Sequence, residues 1–388
     1  MLNNPDYGFI FNHGNIMPGG IYIHIPFCLS KCPYCDFYSV DKDNDLINDF
    51  ISALLTEIQI QANTKWKDRV YNTIYFGGGT PPLIGEANIE SIIKALRGNF
   101  NISPRSEIAL EVNPETSSPE FMSNIKAAGV NRVSIGVQSF NDDVLKTLGR
   151  VHNSERSKKA IDEAFGAGYE RVGVDLIFGV PGQTIDSWKN TLWETVNKNP
   201  VHVSAYGLTI EKGTPFEKRI GKGELKLPDD DTQAEMYLAM HQVLSDSGFK
   251  RYEVSNYAKF GYESQHNVKY WRDDKFLGLG PSAHSYDGMR RLSNYRNLEK
   301  YLNAIRKGKA PVNFKEKLTD EQRAEERLLL GLRLAEGVDY NLVKDIVNEQ
   351  IKNELDTDGF IEKKLNRLRL TDKGFLVADE VIVKLLRK

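Results

Sequence analysis

The sequence predicts an α/β protein whose main part is a partial (β/α)6 barrel, and two observations support this fold class. Six short apolar segments that are typical of strands alternate with helical segments between Ile21 and Leu208, which is the order of a parallel sheet. Chemically unusual residues directly follow several of these strands, as ligand-binding residues do in α/β folds. Six strands are fewer than the eight that close a full barrel, so we expect one side to stay open. The predicted strands span residues 21–25, 73–76, 107–112, 132–137, 171–178 and 202–208.

The individual elements follow from local periodicity. In the first strand, apolar Ile21, Ile23 and Ile25 alternate with Tyr22 and His24, which is the pattern of a strand with two different faces. The intervening segments instead carry apolar residues at helical spacing, and the first of them begins at Asp and Asn residues that can cap a helix. The predicted helices span residues 45–62, 89–96, 119–128, 154–167 and 185–197.

After residue 208 the pattern changes, and we expect a C-terminal α+β region. Residues 229–248 predict an amphipathic helix that begins with an acidic run, residues 251–258 alternate like a strand, and residues 321–334 predict another helix. Residues 339–388 predict a winged-helix-like module. The predicted division is a leader (1–20), a barrel core (21–215), a C-terminal extension (216–334) and the winged-helix-like module (335–388).

Composition and charge argue against several classes of function. The chain has 51 basic and 53 acidic residues, and from Glu336 onward it has 11 acidic and 10 basic residues, so the basic excess that nucleic-acid binding needs is missing. A lid or a partner-docking role suits the winged-helix-like module better than DNA binding. No apolar run reaches the length of a membrane span, and residues 1–20 lack the features of a signal peptide. We therefore expect a cytoplasmic protein.

All three cysteines of the chain lie in one loop directly after the first predicted strand. Cys28, Cys32 and Cys35 have the spacing C-x3-C-x2-C. Disulfide pairing would leave one thiol over, and the cytoplasm keeps thiols reduced. Two metal sites stay open as interpretations. One is a zinc site with His24 as the fourth ligand, and the other is a [4Fe–4S] cluster in which one iron has no protein ligand.

Residues at the ends of the other predicted strands indicate one shared ligand site. The glycine turn before Thr80 allows close backbone approach, with its N–H groups facing a ligand, although a glycine run alone is equally typical of a flexible turn. A carboxylate inside an apolar strand needs a ligand cation or hydroxyl, or a basic partner in the protein. These residues are Gly77, Gly78, Gly79 and Thr80 after the second strand, Glu111 in the third, Gln138 after the fourth, Asp175 in the fifth and Thr209 after the sixth.

The string H-N-V-K-Y-W, residues 266–271, places His266 next to Tyr270 and Trp271. A histidine between aromatic side chains can be an axial haem ligand. An isolated histidine is more commonly one that is hydrogen-bonded within the core. His284 is a weaker candidate for the same pocket.

The cysteine motif resembles that of the radical S-adenosylmethionine (SAM) superfamily. Together with Y-I-H-I-P-F-C (22–28), Y-F-G-G-G-T-P (75–81) and D-L-I-F-G-V-P-G-Q-T (175–184), it is similar to the oxygen-independent coproporphyrinogen III oxidase family over about residues 22–211. The resemblance implies a radical SAM barrel with a [4Fe–4S] cluster on Cys28, Cys32 and Cys35 and with SAM on the open iron, and it displaces the zinc interpretation. It places the amino and carboxylate end of SAM at the turn 78–80. The implied SAM-binding residues are Tyr22, Tyr34, Gly78, Gly79, Thr80, Glu111, Gln138, Arg150 and Asp175.

This family has an oxidase branch and a haem-chaperone branch, and the sequence resembles the second more closely. The oxidase branch carries a further cysteine two residues after the third, where this chain has Phe37, and it usually has a longer N-terminal segment. H-N-x-x-Y-W is associated with haem binding in the chaperone branch, which implies His266 as a haem ligand with Tyr270 and Trp271 in the pocket.

The resemblance therefore implies a protein that binds haem and passes it to haem-acceptor proteins, which are respiratory-type haemoproteins in the family. Radical SAM decarboxylation of coproporphyrinogen III propionates is the alternative function. The resemblance leaves open whether SAM is cleaved, whether the protein forms a homodimer, and whether it contacts a membrane peripherally.

Overall fold

The structure, a computed structural model, describes residues 17–386. The predicted leader falls largely on residues 1–16, which lie outside the described residues. The first strand begins at Gly19, slightly before the predicted start of the core.

The strands of the described residues belong to one large sheet and two small ones. In chain order they are β1 (Gly19–Ile25), β2 (Phe27–Cys28), β3 (Val40–Asp41), β4 (Val70–Gly78), β5 (Asn101–Val112), β6 (Arg132–Gln138), β7 (Val172–Phe178), β8 (His202–Gly207), β9 (Lys250–Arg251), β10 (Asn256–Ala258), β11 (Phe276–Leu279), β12 (His284–Tyr286), β13 (Arg290–Asn294), β14 (Val312–Lys317), β15 (Val338–Asp339), β16 (Ile361–Lys364) and β17 (Arg367–Leu370).

The helices alternate with the long strands of the first half of the chain, and further helices follow among the shorter strands of the second half. They are α1 (Asn44–Ala62), α2 (Glu86–Asn99), α3 (Pro119–Ala127), α4 (Asp142–Thr147), α5 (Ser154–Gly166), α6 (Ile185–Asn197), α7 (Pro215–Gly221), α8 (Asp230–Asp246), α9 (Gln265–Trp271), α10 (Leu298–Arg306), α11 (Asp320–Gly331), α12 (Glu349–Thr357), α13 (Asp372–Leu376) and α14 (Ala378–Leu385).

The six predicted strands form the parallel part of the sheet, which confirms the predicted fold class. β1, β4, β5, β6, β7 and β8 lie side by side in this order, and each pairs with its neighbours in parallel. The sheet does not return to β1, so the barrel stays open. The connecting helices begin at side-chain caps such as Asp43, whose carboxylate accepts from Leu46 N.

Each edge of the parallel part is extended by strands that the sequence did not predict. β11 adds a further parallel strand next to β1, and β12, β13 and β14 continue antiparallel from it. On the other edge, β10 and β9 follow β8. The prediction of one strand over residues 251–258 is wrong, because β9 and β10 are two short antiparallel strands joined by a turn. In this turn Tyr252 N donates to Asn256 O.

The alternation within the strands decides which side chains enter the barrel. Ile21, Ile23 and Ile25 of β1 are fully buried in the main core, where Phe50 and Leu54 of α1 also lie. Intervening residues of the same strand, such as Tyr22, instead line the interior. Burial of an isoleucine side chain contributes roughly 1.5–3 kcal/mol, so the register of β1 is fixed by this face.

The C-terminal region, in which the sequence predicts a winged-helix-like module, has a separate hydrophobic core. β15, β17 and β16 form a three-stranded antiparallel sheet, and α12, α13 and α14 belong to the same region. Leu328 of α11, Leu368 of β17 and Leu385 of α14 are among the buried residues of this core. Within residues 17–386, none of the helices has a stretch long and apolar enough to cross a bilayer.

Glu57 is a fully buried carboxylate that links α1 to the edge of the sheet extended by β11–β14. Its Oε2 accepts from Gly280 N at 2.8 Å and from the Tyr301 hydroxyl at 2.7 Å, and its Oε1 accepts from Asn294 Nδ2 at 2.7 Å. Burial raises the pKa of Glu57 to about 7. The carboxyl group of Glu57 therefore connects two parts of the fold and changes its protonation state near pH 7.

Replacing Glu57 by glutamine is expected to change how stability depends on pH. The pKa of about 7 in the folded chain lies above the ordinary value of 4.5. The contribution of Glu57 is therefore complete below pH 4.5 and is lost as the pH rises through 7. The free energy of unfolding of the unaltered protein, relative to Glu57→Gln, should fall by on the order of 3 kcal/mol between pH 4.5 and 8. Urea unfolding measures it, and a difference that is constant with pH would contradict this assignment.

Candidate functional site

A cavity of about 1010 Å³ extends from the loops at the carboxyl ends of the parallel strands into the barrel interior. This volume is at the upper end of the roughly 300–1,000 Å³ of small-molecule pockets. Thr209 and His284, singled out in the sequence, also line it. The predicted site residues that line the cavity are Cys28, Cys32, Cys35, Tyr22, Tyr34, Gly78, Gly79, Thr80, Glu111, Gln138, Arg150, Asp175, His266 and Tyr270.

Two of the predicted residues, Gly77 and Trp271, do not line the cavity. Trp271 is not among the side chains that line the cavity, and the Arg333 guanidinium stacks over its ring, 5.2 Å from the ring centroid. Successive residues of a helix point in different directions, so Tyr270 and Trp271 of α9 do not share a face. The structure therefore places Trp271 against the C-terminal region instead of in the pocket.

The cysteine loop is fixed at the mouth of the cavity. β2 and β3 pair in parallel at its two ends, and Cys35 N donates to Cys32 O at 3.1 Å inside it. All three thiols are free and partly exposed. Phe37 is 63% exposed beside them, so it does not serve as core packing.

A hydrogen-bonded chain connects two of the thiols through Arg150. Arg150 Nη1 donates to Cys32 Sγ at 3.5 Å, and its Nη2 donates to Asn113 Oδ1 at 2.8 Å. Asn113 Nδ2 donates to Thr80 Oγ1 at 3.1 Å, and Thr80 Oγ1 lies 3.9 Å from Cys28 Sγ. A buried guanidinium next to thiols stabilises their thiolate forms, which are the forms that bind metal.

Asn113 and Glu115 are two residues near the thiols that the sequence analysis did not predict. Glu115 lies 3.9 Å from Arg150 Nη2 and accepts from His152 Nδ1 at 3.1 Å. Both residues lie just after the end of β5, and this position at the end of a strand could have indicated them in the sequence.

The thiols suit a cluster better than a single metal ion. Within residues 17–386, no three His, Cys, Asp or Glu side chains stand close enough to hold one ion. The thiolates of a [4Fe–4S] cluster each bind a different iron, so they need not meet at one point. Burial, and after it the nearby thiols Cys32 and Cys28, raise the pKa of Cys35. A bound cluster and the positive charge of Arg150 would both favour the thiolate form of Cys35 and so offset this rise in its pKa.

His24, the fourth ligand of the zinc interpretation, is held by other partners. Its Nε2 lies 2.9 Å from the Tyr38 carbonyl oxygen, which can only accept, so Nε2 carries the proton. Its Nδ1 then accepts from the Tyr22 hydroxyl at 3.1 Å. Burial lowers the pKa of His24 to about 4. Both ring nitrogens of His24 are therefore used in hydrogen bonds, and neither is free to bind a metal.

The glycine turn after β4 is required by the packing of the chain itself. A Cβ at Gly78 would lie 2.7 Å from the His24 ring, and one at Gly79 would lie 2.5 Å from the Phe27 carbonyl oxygen. Gly79 N donates to Ile25 O and Thr80 N donates to Phe27 O. Gly78 N donates to Glu111 Oε2 at 3.3 Å. The N–H groups of Gly78, Gly79 and Thr80 are thus hydrogen-bonded within the chain, and the expectation that the turn faces a ligand stays a prediction.

Glu111 lies in the middle of the cavity wall. Its Oε1 accepts from the Tyr75 hydroxyl at 2.8 Å, and burial raises its pKa to about 7. No basic partner within salt-bridge distance is seen for it among the described residues. Both oxygens accept hydrogen bonds from uncharged donors, Tyr75 and Gly78 N, so a ligand hydroxyl or cation can still bind the carboxylate at its remaining lone pairs.

Asp175 and Gln138 also line the cavity. Both oxygens of Asp175 lie within 3.0 Å of the Ser134 hydroxyl, and burial raises the pKa of the carboxyl group. Gln138 has φ of 63°, a conformation that non-glycine residues rarely adopt and that clusters at ligand sites.

His266 enters the cavity from the amino end of the barrel, opposite the cysteines. Its Nδ1 lies 2.8 Å from Thr73 Oγ1 and its Nε2 lies 2.9 Å from the Tyr270 hydroxyl. The ring stacks on Tyr75 with centroids 5.2 Å apart. Burial lowers the pKa of His266 to about 3, so the imidazole is neutral.

Two protein families match parts of the sequence. The Radical SAM superfamily matches residues 22–192, and the HemN C-terminal domain matches residues 318–377. In fold, the chain is similar to coproporphyrinogen III oxidase (HemN) from Escherichia coli, described as a radical SAM enzyme, with a TM-score of 0.81 at 23% identity over 95% of this chain and 89% of that one. At that identity the similarity shows the fold alone.

Curated relatives are similar over nearly the whole chain. Heme chaperone HemW of Mycobacterium tuberculosis is 38% identical over 95% of this chain and 96% of its own length. Heme chaperone HemW of Bacillus subtilis is 34% identical over 93% of this chain and 97% of its own. With these relatives and the matching superfamily, the chain belongs to the HemW family of radical SAM proteins.

Proposed function

We propose that this chain is a cytoplasmic haem chaperone. It holds a [4Fe–4S] cluster on Cys28, Cys32 and Cys35, binds SAM next to the cluster, binds haem as cargo through His266 and passes the haem to acceptor proteins. The observation that carries the proposal is that one cavity contains both the cysteines and His266. The names of the near full-length relatives support it.

The residues around the thiols would hold and tune the cluster. When bound, the cluster would supply one electron at its open iron, where SAM binds. Arg150 supplies positive charge at Cys32, and Thr80 lies against Cys28. Glu111 and Asp175 offer carboxylate oxygens to the hydroxyls and the ammonium group of SAM, which is the chemistry that the burial of two carboxylates in one cavity favours.

Haem binding would require one exchange at His266. Its neutral Nε2 now contacts the Tyr270 hydroxyl and would bind the haem iron in place of that hydrogen bond. Its Nδ1 would keep the hydrogen bond to Thr73 Oγ1. Histidines that bind metals commonly have such a second hydrogen bond, which fixes the orientation of the ring. Tyr270 would then move aside as haem binds.

The alternative function, coproporphyrinogen III oxidation, is opposed by one residue at the cluster. The oxidase branch has a cysteine where this chain has Phe37, and Phe37 is exposed beside the thiols at the cavity mouth. An exposed phenyl ring there offers an apolar contact to a ligand and no thiol.

Haem binding and transfer test the proposal. The full chain, reconstituted with iron and sulfide under anaerobic conditions, is titrated with haem and followed by its absorbance. The haem-loaded protein is then mixed with apomyoglobin. We expect saturable binding of one haem per chain and movement of the haem to apomyoglobin. Failure of the protein to bind haem in a saturable way would contradict the proposal.

A further inference from the structure

Two buried N–H-bearing side chains at the amino end of the cavity each leave one nitrogen unused. Arg132 Nη2 and His202 Nδ1 have no hydrogen-bond partner among the described residues, although both side chains line the cavity. The Arg132 side chain is 4% exposed and His202 is 2% exposed. A buried polar nitrogen without a partner costs about 1–3 kcal/mol, so a group that fits both would bind favourably.

Arg132 shares one carboxylate, that of Glu107, with a second guanidinium group. Its Nη1 contacts Glu107 Oε2 at 3.5 Å and donates to the carbonyls of Tyr262 and Glu263. Arg171 lies 3.6 Å from the same oxygen of Glu107, so two guanidinium groups share one carboxylate. Asp175, also in the cavity, accepts from Ser134, and the nearby Arg132 charge partly offsets the rise that burial causes in the pKa of this carboxyl group.

The hydrogen bonds of His202 make its unused nitrogen a donor. Ser264 N donates to the Tyr252 hydroxyl oxygen at 3.3 Å, which leaves the Tyr252 O–H to donate to His202 Nε2 at 2.7 Å. Burial holds the pKa of His202 well below its usual range, so the ring is neutral with its proton on Nδ1. Arg132 and His202 therefore present two donors, one of them charged, and together they favour an anion.

Gly173 lies beside the unused nitrogen of His202. In the sheet, Gly173 pairs with Ser134 on one side and with His202 on the other. A Cβ at Gly173 would lie 3.3 Å from His202 Nδ1 and 3.4 Å from Ser134 Oγ. Glycine at residue 173 therefore leaves the room beside these polar atoms that a side chain would take up.

The same donors are connected to His266 through Glu107. Glu107 Oε1 accepts from His266 N at 3.3 Å while its Oε2 contacts Arg132. Ser264, the N-cap of α9, is bonded to Tyr252 and so to His202. The helix that carries His266 and the two unused donors therefore form one hydrogen-bonded unit.

We propose that Arg132 and His202 form a carboxylate subsite that takes a propionate of a porphyrin held in the cavity. This inference rests on the proposed function, because a porphyrin as the cavity ligand comes from there. The methionyl carboxylate of SAM is the other source of the same chemistry, and the family resemblance places it at the opposite end, at Gly78–Thr80. The subsite orients the macrocycle and does not depend on iron.

Metal-free mesoporphyrin and its dimethyl ester test the subsite without iron ligation. Each is titrated into the reconstituted full chain and followed by porphyrin absorbance. We expect the free acid to bind at least tenfold more tightly than the ester, because hydrogen bonds to a charged group are strong. His202→Leu should reduce that preference about tenfold, and Gly173→Ala, which narrows the space, should also reduce it. His241→Leu is the matched control, since His241 contacts Tyr257 outside the cavity.

The outcomes separate the subsite from the chaperone function. Equal affinities for acid and ester, an unchanged preference in His202→Leu, or no saturable binding of mesoporphyrin each overturn the subsite. Haem binding can persist in these cases and would leave the proposed function intact. Conversely, an acid preference without haem binding supports the subsite and counts against the chaperone. A loss of SAM affinity in His202→Leu with an unchanged mesoporphyrin preference would assign the donors to SAM and overturn the porphyrin proposal.

Discussion

Replacing Cys32 by alanine is expected to abolish the iron–sulfur cluster and, with it, the binding of SAM. The proposed cluster would have three thiolate ligands from this loop, so the loss of one would leave a second iron without a protein ligand. The substitution also removes the sulfur that Arg150 contacts at 3.5 Å. Iron content after anaerobic reconstitution should fall from about four atoms per chain to less than one, together with the visible absorbance.

Ser30→Ala is the matched control, because Ser30 lies in the same loop and also lines the cavity. It should retain iron, sulfide and SAM binding. Full iron and sulfide content in Cys32→Ala would contradict the cluster assignment. One tightly bound zinc without sulfide in the unaltered protein would return the loop to the zinc interpretation.

Replacing His266 by alanine is expected to weaken haem binding at least tenfold, which corresponds to about 1.4 kcal/mol. The substitution removes the nitrogen proposed to bind the iron. Tyr270→Phe should bind haem at least as tightly as the unaltered protein, because it removes the hydroxyl that now holds His266 Nε2. His284→Ala, a second histidine of the cavity, should have little effect. Haem titrations followed by absorbance measure all three.

The pH dependence gives this prediction a second readout. Because burial lowers the pKa of His266 to about 3, the ring stays neutral down to about pH 4. Haem affinity due to His266 should therefore change little between pH 8 and 5. A histidine with an ordinary pKa of about 6.5 would lose roughly thirtyfold at pH 5. A loss of that size, or unchanged affinity in His266→Ala, would contradict the proposed ligand.

The barrel core could be predicted because its signals are local. The strands are buried and strongly apolar, and helices with clear caps separate them, so the order of elements could be read from periodicity alone. The extension could not be predicted in the same way. β12 has three residues, and β11 pairs with β1 although more than 250 residues separate them in the chain. Such short, non-local pairing leaves little periodic pattern in the sequence.

In the candidate site, too, residues at the ends of the barrel strands could be predicted, and residues brought in by contacts distant in the sequence could not. Cys28, Glu111 and Asp175 could be placed in one cavity because parallel strands align their carboxyl ends. The position of His266 could not be predicted, since α9 comes from the second half of the chain and reaches the barrel at its amino end. The hydrogen bonds that Gly78 N–H and Gly79 N–H make within the chain could not be predicted either, because they depend on the close approach of β1 and β2.

The most direct test of the haem-chaperone account is an anaerobic assay of coproporphyrinogen III conversion. The reconstituted full chain is incubated with coproporphyrinogen III, SAM and a reductant, and the porphyrins are oxidised and separated by chromatography. In parallel, the same preparation is titrated with haem. The account predicts one bound haem per chain and no protoporphyrinogen. Formation of protoporphyrinogen in proportion to enzyme and time would contradict it and establish the oxidase activity.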